Sequence, residues 1–198
     1  MMKVKRILGW LLLATGLLCL ATPLWIEWHH HQDVTALEEA LSLVADAQDG
    51  ETSKEVVAQN GFTVQELEQV MELEIPSISL KQFVLSETTE ENLNIALTQI
   101  KEHQQPGAGN FTIAGHRGYR DGRHFSKLDQ VEAGEEIRLH AGGKTYVYVI
   151  SGAAVIAETD VHVLNDTPDR TEITLITCTP SGKQRIAVTG ELQEVIDS

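Results

Sequence analysis

Ile173-Thr-Leu-Ile-Thr-Cys178 runs into Thr179-Pro-Ser-Gly-Lys-Gln184, and Arg185-Ile-Ala-Val-Thr189 leads away again. Aliphatic and β-branched residues fill both flanks, and Ser181-Gly182 between them is a turn signal, so the stretch reads as a β-hairpin. A hairpin centred on Ser181-Gly182 puts Cys178 and Arg185 equally far from its midpoint. The two then stand opposite one another with side chains on one face.

Working back from this hairpin, the same texture recurs. Strands are expected at Phe111 to Gly115, Glu136 to His140, Lys144 to Ile150 and Ala153 to Ala157, divided by turn signals such as Ala141-Gly142-Gly143. Earlier, Leu73, Ile75 and Ile78 alternate around Pro76, and Phe83-Val84-Leu85 follows. Thr88 to Ile100 reads as a helix, with Thr88 and Glu91 at capping-box spacing and Leu93, Leu97 and Ile100 on one side. Gln105 to Asn110 is a loop. Many short strands with one or two helices predict a mostly β domain, a small closed or nearly closed barrel.

Outside this domain lie two further segments. Residues Ile7 to Ile26 form an apolar run of about bilayer-spanning length, with Trp10, Trp25 and Trp28 near its ends and Lys3, Lys5 and Arg6 before it. This is the pattern of an uncleaved signal anchor with a cytoplasmic N-terminus and an exported remainder. His29, His30 and His31 read as a juxtamembrane polar run, since adjacent residues converge poorly on one metal ion. From Asp33 to Gln48, Val34, Leu37, Leu41 and Val44 keep a helical period. Thr35/Glu38, Thr52/Glu55 and Thr63/Glu66 have capping-box spacing, and Asp49-Gly50 and Asn60-Gly61 are breaks. The expected division is therefore residues 1–28 as cytoplasmic tip and transmembrane anchor, 29–71 as an acidic, partly helical connector, and 72–198 as the catalytic barrel.

The formal charge of −14 repels a polyanion, which argues against nucleic acid as a partner. Of the two cysteines, Cys19 falls in the apolar run, so the exported part owns one thiol and no internal disulfide. A guanidinium beside that thiol favours the nucleophilic thiolate and can donate to an oxyanion formed when sulfur attacks a carbonyl. The same arrangement would need a general acid/base. His116, at the end of a strand and flanked by Gly115 and Gly118, is well placed for that role. Spacing alone leaves it one of five, beside His103, His124, His140 and His162. One Cys and scattered His show no metal-ligand pair spacing, and no metal is assigned.

The block Thr112-Ile-Ala-Gly-His116, with Phe125-Ser-x-Leu128, Gly134, Tyr146-x-Tyr148, Asp160-Val, Val163-Leu164, Thr174-Leu-Ile-Thr-Cys178 and Arg185 after it, resembles the sortase family of cysteine transpeptidases. The likeness runs from about Glu74 to Leu192. It implies an eight-stranded sortase-type β-barrel, with Cys178 as nucleophile, His116 as general acid/base and Arg185 as oxyanion stabiliser. By the same resemblance Thr177 and Ala114 would line the groove for the signal peptide. Implied partners are proteins carrying an LPXTG-like sorting signal, cleaved between Thr and Gly, and a lipid II-like cell-wall amine acceptor. The Asp160-Val-x-Val-Leu segment and the single N-terminal anchor are most similar to class A, the housekeeping type; a pilin-polymerising or other class, and a tethered barrel that binds peptides without chemistry, are the alternatives. No cofactor is expected to be required. Some class A members bind calcium near the barrel loops, where Glu158, Asp160 and Asp166 are the acids to consider.

Overall fold

The computed structural model describes residues 2–46, 67–118 and 123–197. Eight strands close into a barrel: β1 Met71–Ile75, β2 Leu80–Leu85, β3 Leu97–Gln99, β4 Asn110–Ala114, β5 Glu136–Ala141, β6 Lys144–Ala157, β7 Glu172–Cys178 and β8 Gln184–Asp197. Their order around the barrel is β1-β2-β3-β4-β7-β8-β6-β5, and β1 closes it against β5. The β2–β3 and β4–β7 pairs are parallel; the other pairs are antiparallel. Closure leaves few free edges, which suits a domain rich in short strands.

Strand alternation decides the interior. Phe111 and Ile113 of β4, Ile173 and Leu175 of β7, and Ile186 and Val188 of β8 all belong to the core, with Leu73, Leu97, Phe125, Ile137 and Tyr148. Their neighbours along each strand therefore face outward. Tyr148 is fully buried, and burial pushes its phenol up to about 12, while its oxygen accepts a hydrogen bond from Gly107 N at 3.1 Å.

Three expectations from the sequence change. The helix expected over Thr88 to Ile100 is only α2, Glu90–Ile95, capped by Thr89, whose hydroxyl accepts from Asn92 N. Leu97 to Gln99 instead pairs with β2 and β4, because burying Leu97 in the barrel outweighs its helical spacing. Thr88 bonds sideways to Thr98 and to the Gln99 carbonyl. The strands expected at Lys144 to Ile150 and Ala153 to Ala157 are one, β6, whose register against β8 shifts between Ile150 and Gly152. A bulge of this kind looks like an interruption in sequence.

At the N-terminus one helix, α1, runs Met2–Asp46 and passes residue 28 without a break. Thr35 is thus inside a helix rather than starting one; neither glycine nor proline interrupts the chain between Trp28 and Asp46. Among the described residues no helix is long and apolar enough to cross a membrane. Farther along α1, Leu37 and Ala40 are buried against Leu67, Leu85 and Ala96, with Leu41, Phe83 and Ile95 beside them. The end of α1 is therefore seated on the outside of the barrel at β2 and α2. The expected breaks at Asp49-Gly50 and Asn60-Gly61 and the caps at Thr52/Glu55 and Thr63/Glu66 lie outside the described residues.

Candidate active site

The hairpin register expected from the sequence is present: Cys178 and Arg185 are Cα partners across β7 and β8. On the other side of β7, the parallel pairing with β4 runs from Asn110↔Glu172 to Ala114↔Ile176. Carried two residues further in the same register, it sets His116 level with Cys178. Gly115 N still bonds to Ile176 O at 3.1 Å there, so the two chains remain side by side past the end of β4. On that register His116 falls at the same end of the barrel as Cys178 and Arg185, across three neighbouring strands. Alternation from the core residues puts Cys178 and Arg185 on the outer face of the barrel.

Local contacts explain why the row stays level. The Thr177 hydroxyl donates to Gly115 O at 2.8 Å, tying the residue before the cysteine to the residue before the histidine. Phe125 N bonds to His116 O at 3.0 Å, and Arg117 pairs with Asp129 at 2.9 Å, which fastens the chain after His116. Gly115 allows a tight fit: a Cβ there would lie 2.4 Å from Leu97 Cδ2 and 2.7 Å from Phe125 Cδ2.

The outer face of β4 and β7 forms a floor that is covered at one end and half-open at the other. At the covered end, Thr174 donates to Asn110 Oδ1, and Asn110 Nδ2 donates to Val163 O and Asn165 O. Gln104 bonds to the backbone and hydroxyl of Thr112. At the open end lie Ala114, Ile176 and Cys178, each partly exposed. Ala114 thus belongs to this floor. Thr177 does not: its side chain is 2 % exposed and faces the interior, because residues i and i+1 of a strand point to opposite faces. Its contribution is the bond to Gly115 rather than a groove wall.

The other histidines are placed elsewhere or differently. His103 is on an exposed loop, His140 bonds to Thr145 and lies 3.6 Å from Glu74, and His162 pairs with Asp160. His124 alone is near the row: it is buried, and its ring meets that of His116 edge-on with centroids 6.3 Å apart. Sequence spacing gave no reason to single out His124.

Asp166 was one of three acids considered for calcium. It accepts from Lys101 Nζ at 2.8 Å and from Asn110 N at 2.9 Å, and the hydrogen bond from Lys101 is the main cause holding its carboxyl below the ordinary value. Its nearest cation in the structure is thus the Lys101 ammonium. Among the described residues no group of three or more His, Cys, Asp or Glu side chains is arranged to hold a metal. Nor does any hydrogen bond among the described residues join the side chains of His116, Cys178 and Arg185. Arg185 instead donates from Nη1 to Gly182 O and Gln184 O, both at 3.2 Å, and from Nη2 to Glu158 Oε2 at 3.4 Å.

Comparison with known proteins places this barrel. The chain is 34% identical over 122 residues to sortase A of Bacillus anthracis, covering 61% of this chain and 58% of that one. It is 33% identical over 123 residues to sortase A of Listeria monocytogenes, covering 61% and 54%. It thus spans somewhat more than half the length of these curated relatives. Among solved structures, Listeria monocytogenes sortase A superposes with a TM-score of 0.63 at 28% identity, covering 66% of this chain and 91% of that one. A Clostridium perfringens sortase D5 transpeptidase superposes with a TM-score of 0.62 at 25% identity, covering 81% and 97%. The sortase domain family matches residues 73–193, the span that holds all eight strands but the ends of β1 and β8 together with the His116, Cys178 and Arg185 row, and with most of the chain inside it the protein belongs to the sortase family.

Proposed function

We propose that the protein is a membrane-anchored transpeptidase of the class A type. It cleaves an LPXTG-like sorting signal between Thr and Gly and transfers the new carboxyl end to a cell-wall amine, such as that of a lipid II-like precursor. The observation that carries this reading is the row of His116, Cys178 and Arg185 at three adjacent strand ends in a sortase barrel.

In the first step Cys178 Sγ attacks the threonine carbonyl, forming an S–C bond and an oxyanion. Arg185, on the same face, is the donor for that oxygen. When the C–N bond breaks, His116 gives its proton to the departing glycine nitrogen, which leaves as an amine. A thioacyl enzyme remains. The acceptor amine then attacks the same carbonyl and loses a proton to His116. Sulfur leaves, and a new peptide bond has replaced the old one. Ala114 and Ile176 provide the floor beside Cys178 on which the extended signal can lie.

The anchor reading rests on the apolar run Ile7 to Ile26, which lies within α1. Trp10, Leu11, Leu12, Leu17, Leu18 and Leu20 are each more than half exposed along that helix, a cost in water that lipid would remove. Lys3, Lys5 and Arg6 then stay in the cytoplasm and the barrel is outside.

The test is the exchange reaction itself. Detergent-solubilised full-length protein is incubated with an LPXTG-type peptide and an amine acceptor, alongside Cys178→Ala. Wild type should make the exchanged product and Cys178→Ala none. Equal peptide binding with no product from either would make the barrel a binding module instead.

A further inference from the structure

We infer that Glu158 is a positioning residue for Arg185, holding its guanidinium in a resting place from which the developing oxyanion must draw it. The inference rests on the transpeptidase reading above. Four observations lead to it.

Arg185 has Ile156 as its partner on β6, opposite Cys178 on β7, so β6 flanks it on the side away from the nucleophile. Two residues beyond Ile156, in the turn that follows β6, Glu158 meets Nη2 at 3.4 Å. The other donations of Arg185 go to carbonyls of its own hairpin, Gly182 O and Gln184 O. Among the described residues Glu158 is thus the one charged acceptor for the guanidinium, and it lies on the opposite side from Cys178. Lastly, Glu158 opens the connection from β6 to β7, whose later part, Val163 to Asp166, covers the groove floor through Asn110 and Lys101.

An exchange of acceptors follows. Before substrate binds, the carboxylate of Glu158 is the acceptor. During attack by Cys178, the developing oxyanion takes its place. The carboxylate stabilises the ground state and contributes nothing to the transition state, so it slows the chemical step. The glutamate side chain is 61% exposed, which limits the effect to that of a surface ion pair.

The experiment compares wild type with Glu158→Gln and Glu158→Ala, each alone and combined with Arg185→Ala, in the full-length protein. Turnover with peptide and amine acceptor is one readout. The rate of Cys178 alkylation by iodoacetamide at a fixed neutral pH is the other, and it requires no transpeptidation. Both Glu158 variants should raise kcat about two- to fivefold with KM unchanged, the range set by a surface pair. Added salt should raise wild-type turnover and leave the variants unaffected. Alkylation should also quicken in the single variants, and that gain should vanish in the Arg185→Ala background. A kcat that is unchanged or lower, or an alkylation gain that persists without Arg185, would overturn the inference; persistence would mark a general charge effect. If wild type yields no exchanged product while alkylation still couples Glu158 to Arg185, the transpeptidase reading fails and the positioning role stands.

Discussion

Replacing Gly115 by alanine tests whether the level row depends on a tight fit at one backbone position. The added Cβ would meet Leu97 Cδ2 at 2.4 Å and Phe125 Cδ2 at 2.7 Å, whereas carbon atoms rest about 3.5–4.0 Å apart. Neither neighbour can retreat, because both are fully buried in the core. Relief must come from Gly115 moving outward. That strains its bonds to Ile176 O at 3.1 Å and from Thr177 at 2.8 Å. Overpacking costs about 1–3 kcal/mol, and weakening one buried hydrogen bond adds about 1 kcal/mol. Together these predict a loss of about 2–4 kcal/mol, which at roughly 4 °C per kcal/mol lowers Tm by about 8–16 °C. Activity should fall further than stability explains, because His116 moves with its neighbour and a shift of about 1 Å at a reacting group can cost ~100-fold. Thermal unfolding by circular dichroism and the peptide–amine exchange assay, well below Tm, give the two readouts. Combining Gly115→Ala with Leu97→Ala should cost less than the sum of the two alone, since one clash is then gone. A Gly115→Ala protein that keeps its Tm and at least half its turnover would refute the reasoning.

Other expectations follow from single contacts. Thr177→Val removes the donor to Gly115 O while keeping shape, and should lower stability by about 1–2 kcal/mol and kcat more than KM, with Thr177→Ser restoring both. Leu37→Ala empties a buried site between α1 and the barrel and should cost about 2–3 kcal/mol. The loss should show as faster amide exchange in β2 around Phe83 and Leu85 rather than as unfolding of the whole barrel. Asp166 has its carboxyl held below the ordinary value of 3.8, first by the hydrogen bond from Lys101. A depressed carboxyl contributes stability above its unfolded value and loses it as pH falls through the folded one. Acid titration should therefore loosen the β6–β7 connection below about pH 4, and Asp166→Asn should flatten that limb; the exposure of Asp166 keeps the effect small. Arg185→Lys should lose most turnover, because the charge remains but the planar fork does not.

Much of the site was legible because a strand of period two translates sequence distance into geometry. Ser181-Gly182 fixed the hairpin, and symmetry about it gave the Cys178–Arg185 pairing that the register bears out. His116 was not legible in this way. Its position depends on β4 lying parallel beside β7, with nearly sixty residues of chain between them, and no local pattern encodes that neighbour. Thr177 was misplaced for a related reason: adjacency to the cysteine in sequence means the opposite face in a strand. The helix expected through Leu97 failed because three strand residues with two neighbours bury more than a further helical turn would. The same logic hid β6 as one strand, since its bulge at Ile150–Gly152 breaks the alternation that identifies a strand.

The least legible features are those that bear on how the site is controlled. Lys101 and Asp166 are paired across two connections, and Glu158, on the same β6–β7 connection as Asp166, reaches Arg185. Each involves an ordinary surface charge that a sequence reading assigns to solvent. What distinguishes them is which strand end they stand beside. On the transpeptidase reading His116, Cys178 and Arg185 are the reacting groups, and the hydrogen bonds around them decide where they rest. In this barrel the histidine's backbone is fastened on both sides, by Thr177 through Gly115 and by Phe125. Among the described residues the Arg185 guanidinium is held by carbonyls of its own hairpin and by the exposed carboxylate of Glu158. On the transpeptidase reading the guanidinium must leave one of these acceptors to meet the oxyanion, so the arrival of Arg185 is a step open to tuning by the residues around it.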